Sequence, residues 1–133
     1  MARIGSVTVV VREYDEAIRF YVDAVGFALV EDTDLGDGKR WVLVAPVDGE
    51  TTLLLARAAS ADEEACVGAQ TGGRVALFLE TDDFVRDHAR MQAAGVHFLE
   101  TPRHEDYGTV AVFEDLYGNR WDLIEPRPSP GGV

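Results

Sequence analysis

The sequence has a single cysteine, Cys66, and three histidines, His88, His97 and His104, in 133 residues. One thiol cannot form an internal disulfide, which makes the cytoplasm the expected compartment. Basic side chains are also scarce: 12 Lys and Arg face 24 Asp and Glu, for a formal net charge of -12. That sign argues against a nucleic-acid partner, which requires a basic face. It likewise argues against a polybasic membrane anchor. No apolar run approaches the ~18–20 residues that span a bilayer. The N-terminal Met1–Ser6 runs straight into a strand-like segment, with no signal-peptide core. No phosphate-cradling glycine motif is present, and Gly72-Gly73 alone reads as turn material.

What is present suits one globular domain. The chain is 47% hydrophobic and 14.5 kDa, enough to bury a core. It also repeats itself. Val7–Val11 and Val75–Leu79 are runs of strand formers, each followed by acidic residues and a helical pattern, at an offset of 68. Past the helices Gly26 matches Gly95 and Gly49 matches Gly118, at an offset of 69.

Asp15 and Asp82 or Asp83 stand where helix N-caps belong, and Gly26 and Gly95 where helices end. Tyr14, Ala17, Ile18, Tyr21 and Val25 form one apolar helix face; Phe84, Val85, His88, Ala89 and Met91 form the other. Three strands follow each helix, near 27–31, 40–45 and 51–56, then near 96–100, 108–114 and 120–125. Asp48-Gly49 and Tyr117-Gly118-Asn119 sit at turns. The pattern predicts an α+β protein with a βαβββ module at 4–56 and another at 74–126, within a single domain over 1–133. A linker at 57–73 carries a short helix started by the capping box Ser60-Ala61-Asp62-Glu63. The tail, 127–133, reads as extended and frayed.

These modules, with Tyr14-Asp15-Glu16-Ala17-Ile18-Arg19-Phe20-Tyr21, Gly26-Phe27 and the closing Phe113-Glu114-Asp115-Leu116-Tyr117-Gly118-Asn119-Arg120-Trp121-Asp122-Leu123, resemble the vicinal oxygen chelate superfamily. That superfamily includes glyoxalase I, extradiol dioxygenases, and fosfomycin and bleomycin resistance proteins. The resemblance spans about residues 4–126. It implies a curved mixed sheet around a cup, with a divalent metal in catalytic members, and a homodimer.

The superfamily's four usual ligand positions match Ser6, Leu53, Arg74 and Asp122, of which only Asp122 suits a metal. The expectation is therefore a member with no metal and no cofactor. The histidines do not change this. His88 reads as a packed helix residue, His97 lies on the strand face opposite Val96 and Phe98, and His104 lies in a charged loop beside Glu105 and Asp106. Cys66 has no neighbouring base and reads as buried or inert.

Strand alternation puts Ser6, Thr8 and Val10 on one face of their strand, as it does Arg74, Ala76 and Phe78, and Arg120, Asp122 and Ile124, and the resemblance implies that these faces line the cup. The candidate ligand-binding residues are Arg74, Asp122, Ser6, Leu53, Phe78 and Arg120, with Trp41, Arg103 and Tyr107 at the rim. Arg74 and Asp122 read either as a polar pair holding an anionic ligand or as an ion pair filling the vacated metal site. Trp41 and Tyr107 read as ligand contacts or as cover at a dimer interface. The leading function is binding of a small organic molecule, anionic or aromatic, without a metal. The alternative is a metal-dependent or remodelled lyase, isomerase or dioxygenase, and a third reading is a protein partner without chemistry.

Overall fold

The run Val7–Val11 is all β-branched, and such side chains suit a pleated, half-buried surface. It makes up most of β1 (Ser6–Val11). In the computed structural model, which describes residues 1–128, β1 leads into α1 (Tyr14–Ile18) and a wider π-helical stretch, Arg19–Val25. β2 (Ala28–Gly36), β3 (Lys39–Ala45), β4 (Thr52–Arg57) and α2 (Ala61–Cys66) follow. The second half runs β5 (Val75–Glu80), α3 (Phe84–Ala93), β6 (His97–Phe98), β7 (Arg103–Glu105), β8 (Gly108–Glu114) and β9 (Arg120–Pro126). The chain is thus mixed α+β. It divides into two compact units between Gln70 and Thr71. Of the tail expected at 127–133, residues 129–133 lie outside the described residues.

In the first unit the strand order is β1-β4-β3-β2, with β1 parallel to β4 and the other neighbours antiparallel. In the second it is β5-β9-β8-β6, with β7 also on β8 and β5 parallel to β9. A parallel pair needs a crossover, and the helix after the first strand of each unit supplies it.

One sheet face of the first unit buries Val9, Val11, Val42, Val44, Leu53 and Leu55. Tyr14, Ala17, Tyr21 and Val25 of the helix are buried with them. The carbonyl of Tyr21 accepts from the N–H groups of both Gly26 and Phe27, and Gly26 ends the helix at φ 97°, a conformation that favours glycine. In the second unit Ala111, Phe113, Trp121 and Leu123 pack with Phe84, Met91 and Val96. Gly108 is required for contact: a Cβ there would overlap the Glu125 carbonyl.

Several local expectations change. Glu13, not Asp15, precedes α1, without a side-chain cap; the Asp15 carboxylate instead receives a bond from Arg40. Asp83 does cap α3, accepting from Arg86 N–H, and Ser60 caps α2, accepting from Glu63 N–H. Val85 is 79% exposed. The inward stripe of α3 runs instead through buried Phe84, half-buried His88 and buried Met91, at i, i+4 and i+7. β2 extends to Gly36, well past 31, and β7 is a strand where none was expected. Both are held by backbone bonding to a neighbour and carry little apolar patterning to announce them.

Candidate functional site

Paired residues on neighbouring strands point to the same face, so the register decides which side chains share the surface away from the helix. In the first unit Ser6 pairs with Thr52 and Thr8 with Leu54, whereas Leu53 pairs with Val7. Leu53 is 6% exposed and belongs to the helix-side core, so its expected place on the cup face is corrected. The two hairpins explain the slip: Val44 pairs with Leu53 as Phe113 pairs with Trp121. Leu54 is therefore the counterpart of Asp122, and the offset returns to 68 in the last strand. A one-residue slip moves a side chain to the opposite face.

On the helix-free face Ser6 Oγ lies 2.7 Å from Thr52 Oγ1. Trp41 is 40% exposed. A cavity of about 430 Å³ opens in this unit, lined on the helix-free face by Thr8, Leu35, Trp41, Leu54 and Ala56 and reaching Tyr14, Leu55 and Arg57 of the helix side. That volume lies in the ~300–1,000 Å³ range of small-molecule pockets. The Tyr14 ring holds two guanidinium groups near it, Arg40 at 5.1 Å and Arg57 at 5.3 Å from its centroid. Arg40 is fixed by Asp15 at 2.8 Å and Asp32 at 2.7 Å, and its hydrogen bond to Asp32 holds that carboxyl below the usual range.

In the second unit Asp122 sits at the centre of the sheet, between Phe78 on β5 and Val112 on β8. Its Oδ1 is buried without a hydrogen-bond partner. Burial pushes the Asp122 carboxyl above its ordinary pKa; the charge of Arg103 opposes this and that of Glu100 adds to it. Arg103 Nε donates to Glu100 Oε1 at 2.8 Å, and Glu100 Oε2 accepts from Val112 N–H at 2.9 Å. That pairing holds Glu100 below the usual carboxylate range. Phe78 is 65% and Tyr107 53% exposed. Arg120 is exposed and pairs across the sheet with Val75 and Glu114.

The expected meeting of Arg74 and Asp122 does not occur, and no ion pair joins them among the described residues. Asp122 pairs with Phe78, four positions along from Arg74, and a strand advances ~3.3 Å per residue. Arg74 instead closes a turn, its carbonyl accepting from Thr71 Oγ1 at 2.6 Å. Arg103 is the cation near Asp122. Glu100, which the sequence reading missed, joins them; its only sequence signal was an acidic residue three positions before Arg103.

The metal implied by the superfamily resemblance finds no donor set here. Among the described residues no three His, Cys, Asp or Glu side chains converge to hold an ion. His88 packs between Phe84 at 5.2 Å and Phe98 at 4.3 Å, and burial lowers its pKa. His97 Nδ1 meets Glu114 at 2.8 Å on the surface, and His104 Nδ1 lies 3.3 Å from Thr109 Oγ1. Cys66 is exposed, so of the two expectations, a buried or an inert thiol, the first does not hold. α2 buries no residue, which leaves that position open to solvent. No helix of the described residues is long and apolar enough to cross a membrane.

Comparison with known proteins agrees with this fold. The chain belongs to the Glyoxalase/Bleomycin resistance protein/Dioxygenase superfamily, whose family model matches residues 3–123. An uncharacterized protein of Shewanella frigidimarina (strain NCIMB 400) is 54% identical over 124 residues, covering 92% of each chain. Among solved structures UcmS2 aligns at a TM-score of 0.83 and 28% identity, covering 94% of this chain and 98% of that one. TnmS3, an antibiotic binding protein from Streptomyces sp. CB03234, aligns at 0.77 and 32% identity, covering 96% and 98%.

Proposed function

We propose that this superfamily member binds a small organic molecule, aromatic or anionic, on the helix-free sheet face and does so without a metal. Fold alone does not assign an activity, so the reading rests on the site. The observation that carries it is the first-unit cavity, where that face meets Tyr14 and Leu55 of the helix side. A small-molecule-sized cavity is lined by Trp41, Leu35 and Leu54, and Leu54 occupies the repeat position where Asp122 stands in the second unit. A leucine there can contact a ligand but cannot ligate a metal. Support comes from TnmS3, whose description as an antibiotic binding protein concerns a relative of the same fold and 32% identity.

Within the first unit Ser6 is a polar contact of this face; in the second unit, taken by itself, Phe78, Asp122, Arg103, Arg120 and Tyr107, with Arg74 at the margin, are the contacts that unit offers a ligand of its own. The protein works in the cytoplasm, with neither membrane nor nucleic acid as partner. It works as a homodimer, a reading supported by β2. That edge strand is exposed along its length, including Leu29, Val30 and Leu35, and proteins usually shield such edges. Calorimetric titration of chelator-treated protein with a panel of polycyclic antibiotics tests the reading. Binding unchanged by chelator is expected. Binding or turnover that appears only after a divalent metal is added would sink it.

A further inference from the structure

The first-unit cavity carries an uneven set of charges. Besides its apolar wall at Leu35, Trp41 and Leu54, it is lined by Arg40, Glu63, Lys39 and Arg57. Two of these are committed elsewhere. Arg40 is clamped by Asp15 and Asp32, and Glu63 Oε1 accepts from the Ala59 N–H at 3.1 Å. The other two are cations with charge to spare. Lys39 makes no ion pair among the described residues. Arg57 has only a long one, 3.9 Å from Glu13, with its guanidinium against the Tyr14 ring. A chain of net charge -12 therefore places two weakly countered cations beside an exposed indole in one cavity.

We propose that this cavity selects a planar aromatic carboxylate, its ring against Trp41 and Leu54 and its charge between Lys39 and Arg57. The proposal deepens the small-molecule reading given above and rests on it. The chemistry follows from the parts. An indole presents a broad apolar surface that a planar ring covers well. A guanidinium offers a planar pair of donors to a carboxylate, and stacking on Tyr14 pre-orients it. Repulsion from the distant acidic surface is screened beyond ~8 Å at physiological salt, while charges lining the cavity act within that distance. A cationic ligand would meet Lys39 and Arg57 against a single lining carboxylate, Glu63, one of whose oxygens already accepts from the Ala59 N–H.

The test is titration of the full chain with 2-naphthoate, the neutral 2-naphthamide and 2-naphthylmethylammonium, followed by tryptophan fluorescence and calorimetry. The acid is expected to bind about tenfold or more tighter than the amide, the worth of a hydrogen bond to a charged group, with the cation weakest. Lys39→Met and Arg57→Met should each narrow the acid–amide gap, and together abolish it. Arg57→Lys should keep part of it. Trp41→Ala should weaken acid and amide alike. Lys39 is exposed, so Lys39→Met keeps the test decisive even where loss of the Arg57–Tyr14 stack unfolds the protein. Equal affinity for acid and amide, or preference for the cation, overturns the proposal. An acid preference that survives both charge-removing variants overturns it too, but leaves the small-molecule reading standing. If none of the three compounds binds, the proposal falls, and the antibiotic titration decides the small-molecule reading separately.

Discussion

Asp115 and Asn119 lock the β8–β9 hairpin from within. Asp115 Oδ2 accepts from Asn119 Nδ2 at 2.9 Å, while its Oδ1 accepts from the N–H groups of Tyr117 and Asn119, each at 2.9 Å. The two are 4% and 5% exposed. A buried carboxylate so satisfied orders the turn that brings Asp122 and Arg120 onto β9.

Removing this carboxylate strands buried donors, so Asp115→Ala should cost about 2–3 kcal/mol in urea unfolding. Asp115→Asn keeps the shape but turns an N–H group on a donor, and should fall between the two. An unchanged unfolding midpoint for Asp115→Ala would contradict the role assigned to this turn.

Asp122 sets a pH dependence. Its folded pKa is raised by burial, so ionising it opposes folding. Below the ordinary value near 3.8 the group is protonated in both states and costs nothing. As pH rises from there toward the raised folded value the penalty grows, and above it the penalty is constant. Asp122→Asn should therefore stabilise the protein at pH 7 relative to wild type and lose that advantage near pH 3. Arg103→Met should raise the Asp122 titration further, whereas Arg74→Met should leave it alone. Denaturant melts across pH, with NMR titration of the carboxyl, measure both. A shift on Arg74→Met would restore the pairing that the register denies.

Gln70 covers the outer edge of β1 as a strand would. Its Nε2 donates to the Thr8 carbonyl at 2.6 Å, and its Oε1 accepts from Val10 N–H at 2.9 Å. Gln70→Ala should lower stability by about 1 kcal/mol and speed hydrogen exchange at the Val10 amide. Gln70→Glu should do more, because a carboxylate faces the Thr8 carbonyl without a donor. Unaltered exchange at Val10 would argue against the edge role.

Elemental analysis of protein purified without chelator should find no stoichiometric Zn, Ni, Mn or Fe. Ser6, Leu54, Arg74 and Asp122 offer one good ligand among them. Near one ion per chain, lost on Asp122→Ala, would reverse this.

Much of the architecture was legible in the chain itself. β-branched runs, acidic helix starts and glycine helix ends are local signals, set by the steric limits of a few residues. Val7–Val11, the Ser60 cap and Gly26 were readable for that reason. The recurrence of that order in both halves identified the superfamily, and the residue types at its usual ligand positions spoke against a metal. Partnership across the sheet was not legible. The slip that turned Leu53 inward and Leu54 outward arises where β4 pairs with β1 and β3. The replacement of Arg74 by Arg103 beside Asp122 follows from the β5–β9 register and from Glu100 bridging Arg103 to Val112. Which charges remain uncommitted around Trp41 likewise depends on ion pairs between residues far apart in the chain, such as Arg40 with Asp15. Local sterics act within a few residues and can be read from them. Register and ion pairing are settled by many weak contacts made at once, so they exist only in the folded structure.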